Sequence, residues 1–440
     1  MGNQLEKAPE LQWLKSGSIH ATPEGIDTED KEYKRTMCSI RLLDYVLKND
    51  YLTFVAAQPM NQRLSEDSFK EIREFVTSVL RTHDDKEAMK AYLIINDLGK
   101  IDDFVKKVKD IMGFESVNHD IILYEGLKAH PELSPTFSGL RKRYQEDILE
   151  GLETNFNMGQ FVQSECLPVD LSALLYTKKR ALDFYMVHVL FDIAGAAGHV
   201  CPTSSIICTE VYWKRFSWAL EAINNMVKYA QAPSTAYRNY LKKTMEYFNH
   251  FSTIERRVDF CIARLYNLIR VTTVGEAKQV NKAFWNLSAS VRKTLTEELT
   301  KTGERGRDLG FLMYYLPALF QNALKYYEKV DPDNAISLMI SNVAPMVSDI
   351  FKNIWYLEPM ESTGEVVVFI ADVAKEANNP EEMKKKPLYF VRVGNDFEVT
   401  TRENSDACLI FGHIPKKKEV WRCKSTIQTR RLFLLENLFS

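Results

Sequence analysis

The chain has 440 residues, 45% of them hydrophobic and 26% charged, the make-up of a globular protein long enough to bury a sizeable core. Its formal net charge of -2 excludes general nucleic-acid binding, which needs an excess of Lys and Arg. Seven cysteines are scattered without a CxxC pair, which points to a reducing, cytoplasmic setting and away from a disulfide framework, and no apolar run reaches the roughly 18–20 residues of a transmembrane segment.

Residues 1–35 are polar and interrupted by Pro9, Pro23 and Gly25, with Leu11, Trp13 and Leu14 as the one apolar cluster; they predict an arm lying on the surface. From residue 36 a helical period takes over. Ile40 to Leu47 mark one helix, and Ser65 opens another through Phe69, Ile72, Val76 and Leu80. Ala88 to Leu98 is more apolar and is stopped by Gly99. Further helices are predicted over Phe104 to Met112, Asn118 to Ala129 and residues 141–166. A more apolar one starts near Ser172 or Lys178 and runs to His199, before Cys201-Pro202. Glu210 to Ala230, Pro233 to Asn249, Ile254 to Val271, Ala277 to Lys301 and Asp308 to Val330 continue the helical succession.

Composition changes after about residue 355. Residues 364–370 are β-branched, and the alternating runs 387–393 and 396–401 flank Gly394-Asn395, a hairpin signal; residues 407–411 predict another strand. The lysine runs at 384–386 and 416–418 read as solvated loops. The expected fold is therefore mainly α, a multi-helix bundle with a small C-terminal β or α+β appendage. Its expected parts are a polar arm (1–35), a helical body (36–355) and the appendage (356–440).

The segment Tyr185 to His199 concentrates polar groups on an apolar helix. At about 100° per residue, His188, Asp192, Gly195 and His199 fall on one face. Buried ionisable groups need a partner, a metal or a shifted protonation state.

Upstream, Ile94-Ile95-Asn96-Asp97-Leu98-Gly99-Lys100-Ile101 closely resembles the metal-binding signature of the HD superfamily, in which His-Asp-Leu/Ile-Gly-Lys supplies adjacent His and Asp ligands to a divalent metal. Asn96 stands where that signature has histidine, and an amide oxygen is a poorer transition-metal ligand. Asp97 matches the aspartate and Lys100 the lysine. His119, followed by Asp120, is similar to the histidine that serves a second metal, and Asp192 to the distal aspartate. A second register, His83, His119-Asp120, Asp192, has the same family order, restores the missing histidine and shares His119 and Asp192 with the first. The resemblance covers roughly residues 83–199.

The resemblance implies an HD-like helical bundle holding a divalent metal (Mn, Mg, Fe or Zn) through Asp97, His119 and Asp192 in the first register or His83, His119 and Asp192 in the second, with His199, on the face of Asp192, as a further candidate ligand. A metal-bound water is acidified toward a pKa of about 7. Lys100 would stabilise developing negative charge, and Asp120 and His188 would carry protons. The family's chemistry is mainly hydrolysis of phosphate esters, including nucleotides, with a smaller branch of iron-dependent oxygenases. Asn157, Gln160 and Ser164 would share one face of the 141–166 helix, with Asn96 and Gln160 supporting the site or reading substrate and Glu165 as an extra ligand or acid/base. The alternative is a helical interaction protein whose ancestral site has decayed, with Asn96 as the trace. G-x-S-x-G, Walker, H-E-x-x-H and G-x-G-x-x-G signatures are missing.

Overall fold

A computed structural model describes residues 7–16, 30–113, 119–250, 256–304, 308–357, 364–393, 396–402 and 409–411. The fold is mainly α with one small sheet toward the C-terminus, as the hydrophobic periods predict. The stretch read as a single helical body belongs to two compact units, one made of the described residues within Met1–Gly159 and Ala173–Leu220, the other of those within Gln160–Ser172 and from Glu221 onward. Among the described residues no helix is long and apolar enough to cross a membrane.

The first unit contains α1 (Pro9–Ser16), α2 (Lys31–Lys48), α3 (Glu66–Val79), α4 (His83–Ile95), α5 (Asp102–Met112), α6 (His119–Ala129), α7 (Lys142–Glu153) and α8 (Lys179–Gly195). Helix α8 is apolar nearly all round, and Leu182, Phe184, Met186, Val187, Leu190 and Phe191 are buried, so it takes the central place and packs against α2 and α7. Its C-terminal end meets α2 at van der Waals limits. A Cβ on Gly195 would lie 2.1 Å from Ser39 Oγ and 2.7 Å from the Ser39 amide nitrogen, and one on Gly198 would lie 2.5 Å from Cys38 Cβ. Helix α4 opens with a capping box in which the Asp85 amide donates to Thr82 Oγ1 at 3.1 Å and Asp85 accepts the Thr82 amide at 2.8 Å.

Three expectations are corrected in this unit and at its edge. Residues 7–16 are no polar surface arm, because Leu11 and Leu14 share the inner face of α1 and are buried. The equally buried Glu10 accepts hydrogen bonds from the Thr136 amide (2.8 Å) and from the Ser134 hydroxyl. The predicted helix over 141–166 stops at Glu153, since Asn155 (φ 47°) and Ser164 (φ 58°) turn the backbone into the left-handed region. Only Met158–Val162 is helical in between, so Asn157, Gln160 and Ser164 share no helix face. The helix read through to His199 ends at Gly195.

The second unit contains α9 (Pro233–Tyr247), α10 (Arg257–Leu268), α11 (Val274–Asn286), α12 (Ala289–Glu298), α13 (Leu316–Val330) and α14 (Ala335–Tyr356). The predicted helix 277–301 is thus two, divided where Ser288 Oγ caps the Val291 amide at 3.3 Å. The buried Arg264 ties the segment 164–166 to this unit, donating to the carbonyls of Ser164, Glu165 and Cys166 at 2.7, 3.0 and 3.1 Å and to Leu299 O at 3.0 Å.

The sheet has the order β1-β2-β4-β3-β5, formed by Gly310–Tyr314, Glu365–Phe369, Leu388–Val393, Asp396–Thr400 and Leu409–Phe411 numbered in chain order. The hairpin signal holds: β3 and β4 pair antiparallel with Tyr389 opposite Thr400 and Val393 opposite Asp396. Its Gly394-Asn395 turn lies outside the described residues, as do Ala407, Cys408 and the lysines 416–418. Strand β1 replaces the start of the helix predicted over 308–330. Gly310 to Tyr314 is a continuous apolar run that pairs parallel with β2, and such a run has no period to separate a buried strand from a helix. Tyr315, at φ 79°, makes the turn into α13.

The Gly195→Ala variant is expected to lose about 1–3 kcal/mol of stability or more, because its methyl group meets Ser39 backbone as well as side chain. Chemical denaturation measures this, and an unchanged midpoint would show that α2 and α8 are not so closely seated.

Candidate functional site

The signature-like word folds as the end of α4 followed by a 3-10 turn, Leu98–Lys100. Gly99 is required there, because a Cβ would lie 2.0 Å from the His119 carbonyl oxygen, so the turn rests directly on the start of α6. This contact brings Asp97 and Lys100 beside His119 and Asp120. Helix α8 adds Tyr185, His188 and Asp192, and α4 adds Tyr92. The first turn of α2 supplies two groups that the sequence reading missed, Glu32 and Arg35.

Lys100 Nζ lies 2.7 Å from Asp97 Oδ1 and 3.3 Å from Glu32 Oε2. Arg35 Nη1 lies 2.8 Å from Glu32 Oε1, and the Glu32 and Asp97 carboxyls share a side-chain hydrogen bond. The Glu32 side chain is fully buried and that of Asp97 nearly so. At the rim, His119 Nε2 lies 3.3 Å from Asp120 Oδ1, and both side chains are 39% exposed. On the other flank, the buried His188 ring stacks on Tyr92 with centroids 3.7 Å apart and planes 13° from parallel.

These surroundings set the protonation states. Burial, reinforced by the Asp97 carboxylate, raises Glu32 to about 7. Burial would raise Asp97 too, but the Lys100 ammonium, the Glu32 hydrogen bond and Arg35 together hold it below the usual carboxylate range. Glu32 is thus the proton donor of the pair. Asp192 is raised to about 6, first by burial and then by Asp97. Burial pushes His188 down to about 3, leaving it neutral. Both of its ring nitrogens and the Tyr92 hydroxyl are buried without a hydrogen-bond partner among the described residues. His119 is lowered by burial, which outweighs the attraction of Asp120.

Of the residues picked from sequence, Asn96, Asp97, Lys100, His119, Asp120, His188 and Asp192 surround this one region. The others do not. His83 is exposed in the first turn of α4, twelve residues before the helix end and so about 18 Å away along the axis. His199 is exposed in the turn beyond Gly195, because the helix that would have carried it to the site has already ended. Glu165 and Gln160 belong to the second unit, where Glu165 Oε1 accepts the Tyr315 amide at 2.6 Å at the entry to α13. Glu165 is a helix-end carboxylate there. The i, i+3 pair Glu32/Arg35 was visible in the sequence but has the spacing of an ordinary solvated helix pair, and nothing local connects it to Asp97.

The donor set does not fit a divalent metal as it stands. A metal ligand must offer free lone pairs, whereas Asp97 is committed to Lys100 and Glu32, and Glu32 to Lys100 and Arg35. An incoming dication would sit against two fixed cations. Among the described residues no three His, Cys, Asp or Glu side chains come together to hold a metal ion. The arrangement can hold a proton between Glu32 and Asp97 and bind three chain segments by charge.

The model of a family described as "Family of unknown function (DUF6829)" matches residues 21–361. No curated protein and no solved structure matches the chain.

The raised Asp192 gives a pH signature. In the folded protein it keeps its proton up to about 6, against 3.8 for a free carboxyl. Its stabilising contribution is therefore complete below the lower value and is lost as pH rises through the higher one. Asp192→Asn removes this loss, so the variant should gain on wild type by up to roughly 3 kcal/mol between about pH 4 and pH 7.5. Urea denaturation across that range tests it, and a constant difference between the two proteins would contradict it.

Proposed function

The chain belongs to the family of unknown function whose model it matches, and we propose that it is a helical binding protein in which the HD-like word builds a structural charge lock in place of a catalytic metal centre. The observation that carries this reading is the position of Lys100, 2.7 Å from Asp97 and 3.3 Å from Glu32. The protein's own ammonium takes the electrostatic place that a metal would have between the carboxylates. Burying two carboxylates is costly unless they are paired and hydrogen-bonded, and Lys100, Arg35 and the shared proton meet that need without a ligand. The free thiols of Cys38, Cys166, Cys201, Cys208 and Cys261 support a reducing, cytoplasmic setting.

One observation favours a second reading, the divalent-metal-dependent hydrolase of a phosphate ester that the resemblance implies. Asp192 makes no hydrogen bond to the described residues and lies among Asp97, Arg35, Lys100 and Asp120, so its lone pairs are open to an incoming cation.

Elemental analysis of protein purified without chelator or a metal-affinity tag separates the two. The charge-lock reading expects no stoichiometric Mn, Mg, Fe or Zn, and no rise in melting temperature when these are added. It also expects a loss of about 3–5 kcal/mol in Asp97→Ala, from the buried cations left unpaired. A stoichiometric metal that disappears in both Asp97→Ala and Asp192→Ala, together with phosphate-ester hydrolysis by the wild type, would overturn it in favour of the hydrolase.

A further inference from the structure

The second unit carries two cavities that share Arg257. The first, of about 450 Å³, is bordered by Arg238, Arg257 and Lys301 with Tyr237, Thr300 and Thr302. The second, of about 400 Å³, is bordered by Arg257, Arg292 and Lys293 with Trp285. Both are in the size range of small-molecule sites, roughly 300–1,000 Å³. Arg257 is held in their common wall, its Nε donating to Thr300 Oγ1 at 3.0 Å.

The charge around them is one-sided. Five cationic side chains line the pair of cavities against two carboxylates, Asp308 and Glu297. Asp308 is already engaged, accepting the Thr302 amide at 2.9 Å, and Glu297 faces Lys293 at 3.9 Å. Behind the wall, Glu298 lies 4.0 Å from Lys301. Arg238 is exposed and makes no ion pair with the described residues. In a chain whose net charge is -2, this surplus is local.

Trp285 supplies the other half. The residue is 45% exposed, and its ring stands edge-on to Phe284 at 5.8 Å and has the Arg292 guanidinium 5.5 Å from its centroid. Exposed indole beside guanidinium is a surface on which a flat ring stacks, and guanidinium forks match phosphate oxygens.

We propose that the two cavities form one site for a nucleotide, with phosphates at Arg238, Arg257 and Lys301 and the base on Trp285 beside Arg292. This is independent of the charge lock in the first unit. A compact nucleotide fits better than a nucleic-acid strand, because the cations border two pockets of single-ligand size and the chain as a whole has no basic excess.

Calorimetric titration of the full chain with ATP, and separately with inorganic tripolyphosphate, tests the assignment. Both are expected to bind, more weakly as salt rises. Arg238→Gln and Arg257→Gln should each weaken both ligands by about tenfold or more. Trp285→Ala should weaken ATP and spare tripolyphosphate. Arg238 makes no ion pair to lose, so its variant keeps the test valid if Arg257→Gln fails to fold. Absence of ATP binding at millimolar concentration, or unchanged affinity in a folded Arg238→Gln variant, would overturn the proposal. So would a single-stranded oligonucleotide that binds far more tightly than ATP, which would make the surface a nucleic-acid site.

Discussion

A carboxylate taken out of water must find a cation or a proton, and in the first unit two of them, Glu32 and Asp97, are buried side by side. Either alone would be destabilising, and together they repel. The structure meets the problem by dividing labour: Asp97 stays ionised against Lys100, while Glu32, raised to about 7, supplies the hydrogen between them. Because the four groups come from α2, the end of α4 and the 3-10 turn after it, satisfying their charges also fixes how these segments meet. Helix α8 then closes over them with the neutral His188, whose ring stacks on Tyr92 of α4.

Close backbone approach is the second condition. Gly99 lets the turn touch the His119 carbonyl, and Gly195 and Gly198 let α8 and the turn beyond it touch α2. Side chains at these positions would push Lys100 from His119 and α8 from α2, which would open the buried charges to water. The glycines and the charge network are thus parts of one packing arrangement. The neutral His188, with both nitrogens unpartnered among the described residues, is the point at which that arrangement is least satisfied.

Much of this was legible in the sequence. Long apolar periods mark the helices and the Gly394-Asn395 pair the hairpin, but the helix expected to reach Leu98 and stop at Gly99 ends at Ile95, with Gly99 inside the 3-10 turn that follows. The word Asn96 to Lys100 pointed to a polar centre, and His119, Asp120, His188 and Asp192 do gather around it. What failed has local causes. His199 was placed on a face by assuming the helix continued, but two glycines in a turn look the same as two glycines packed within a helix. His83 was chosen for its order along the chain, which says nothing of the length of helix separating it from Asp97. Strand β1 was hidden because five apolar residues carry no period. Glu32 and Arg35 were missed because their partners lie more than sixty residues away, and no local pattern records a contact of that range.

A double-mutant cycle measures directly whether Lys100 is the cation of the buried network. Asp97→Asn and Lys100→Met are made singly and together, and stability is read by denaturant unfolding at neutral pH. The charge lock predicts that each single change costs about 3–5 kcal/mol by stranding the opposite charge, and that the double variant recovers much of it, giving a large favourable coupling. Additive effects, or single variants as stable as the wild type, would show that Lys100 and Asp97 do not hold the site together.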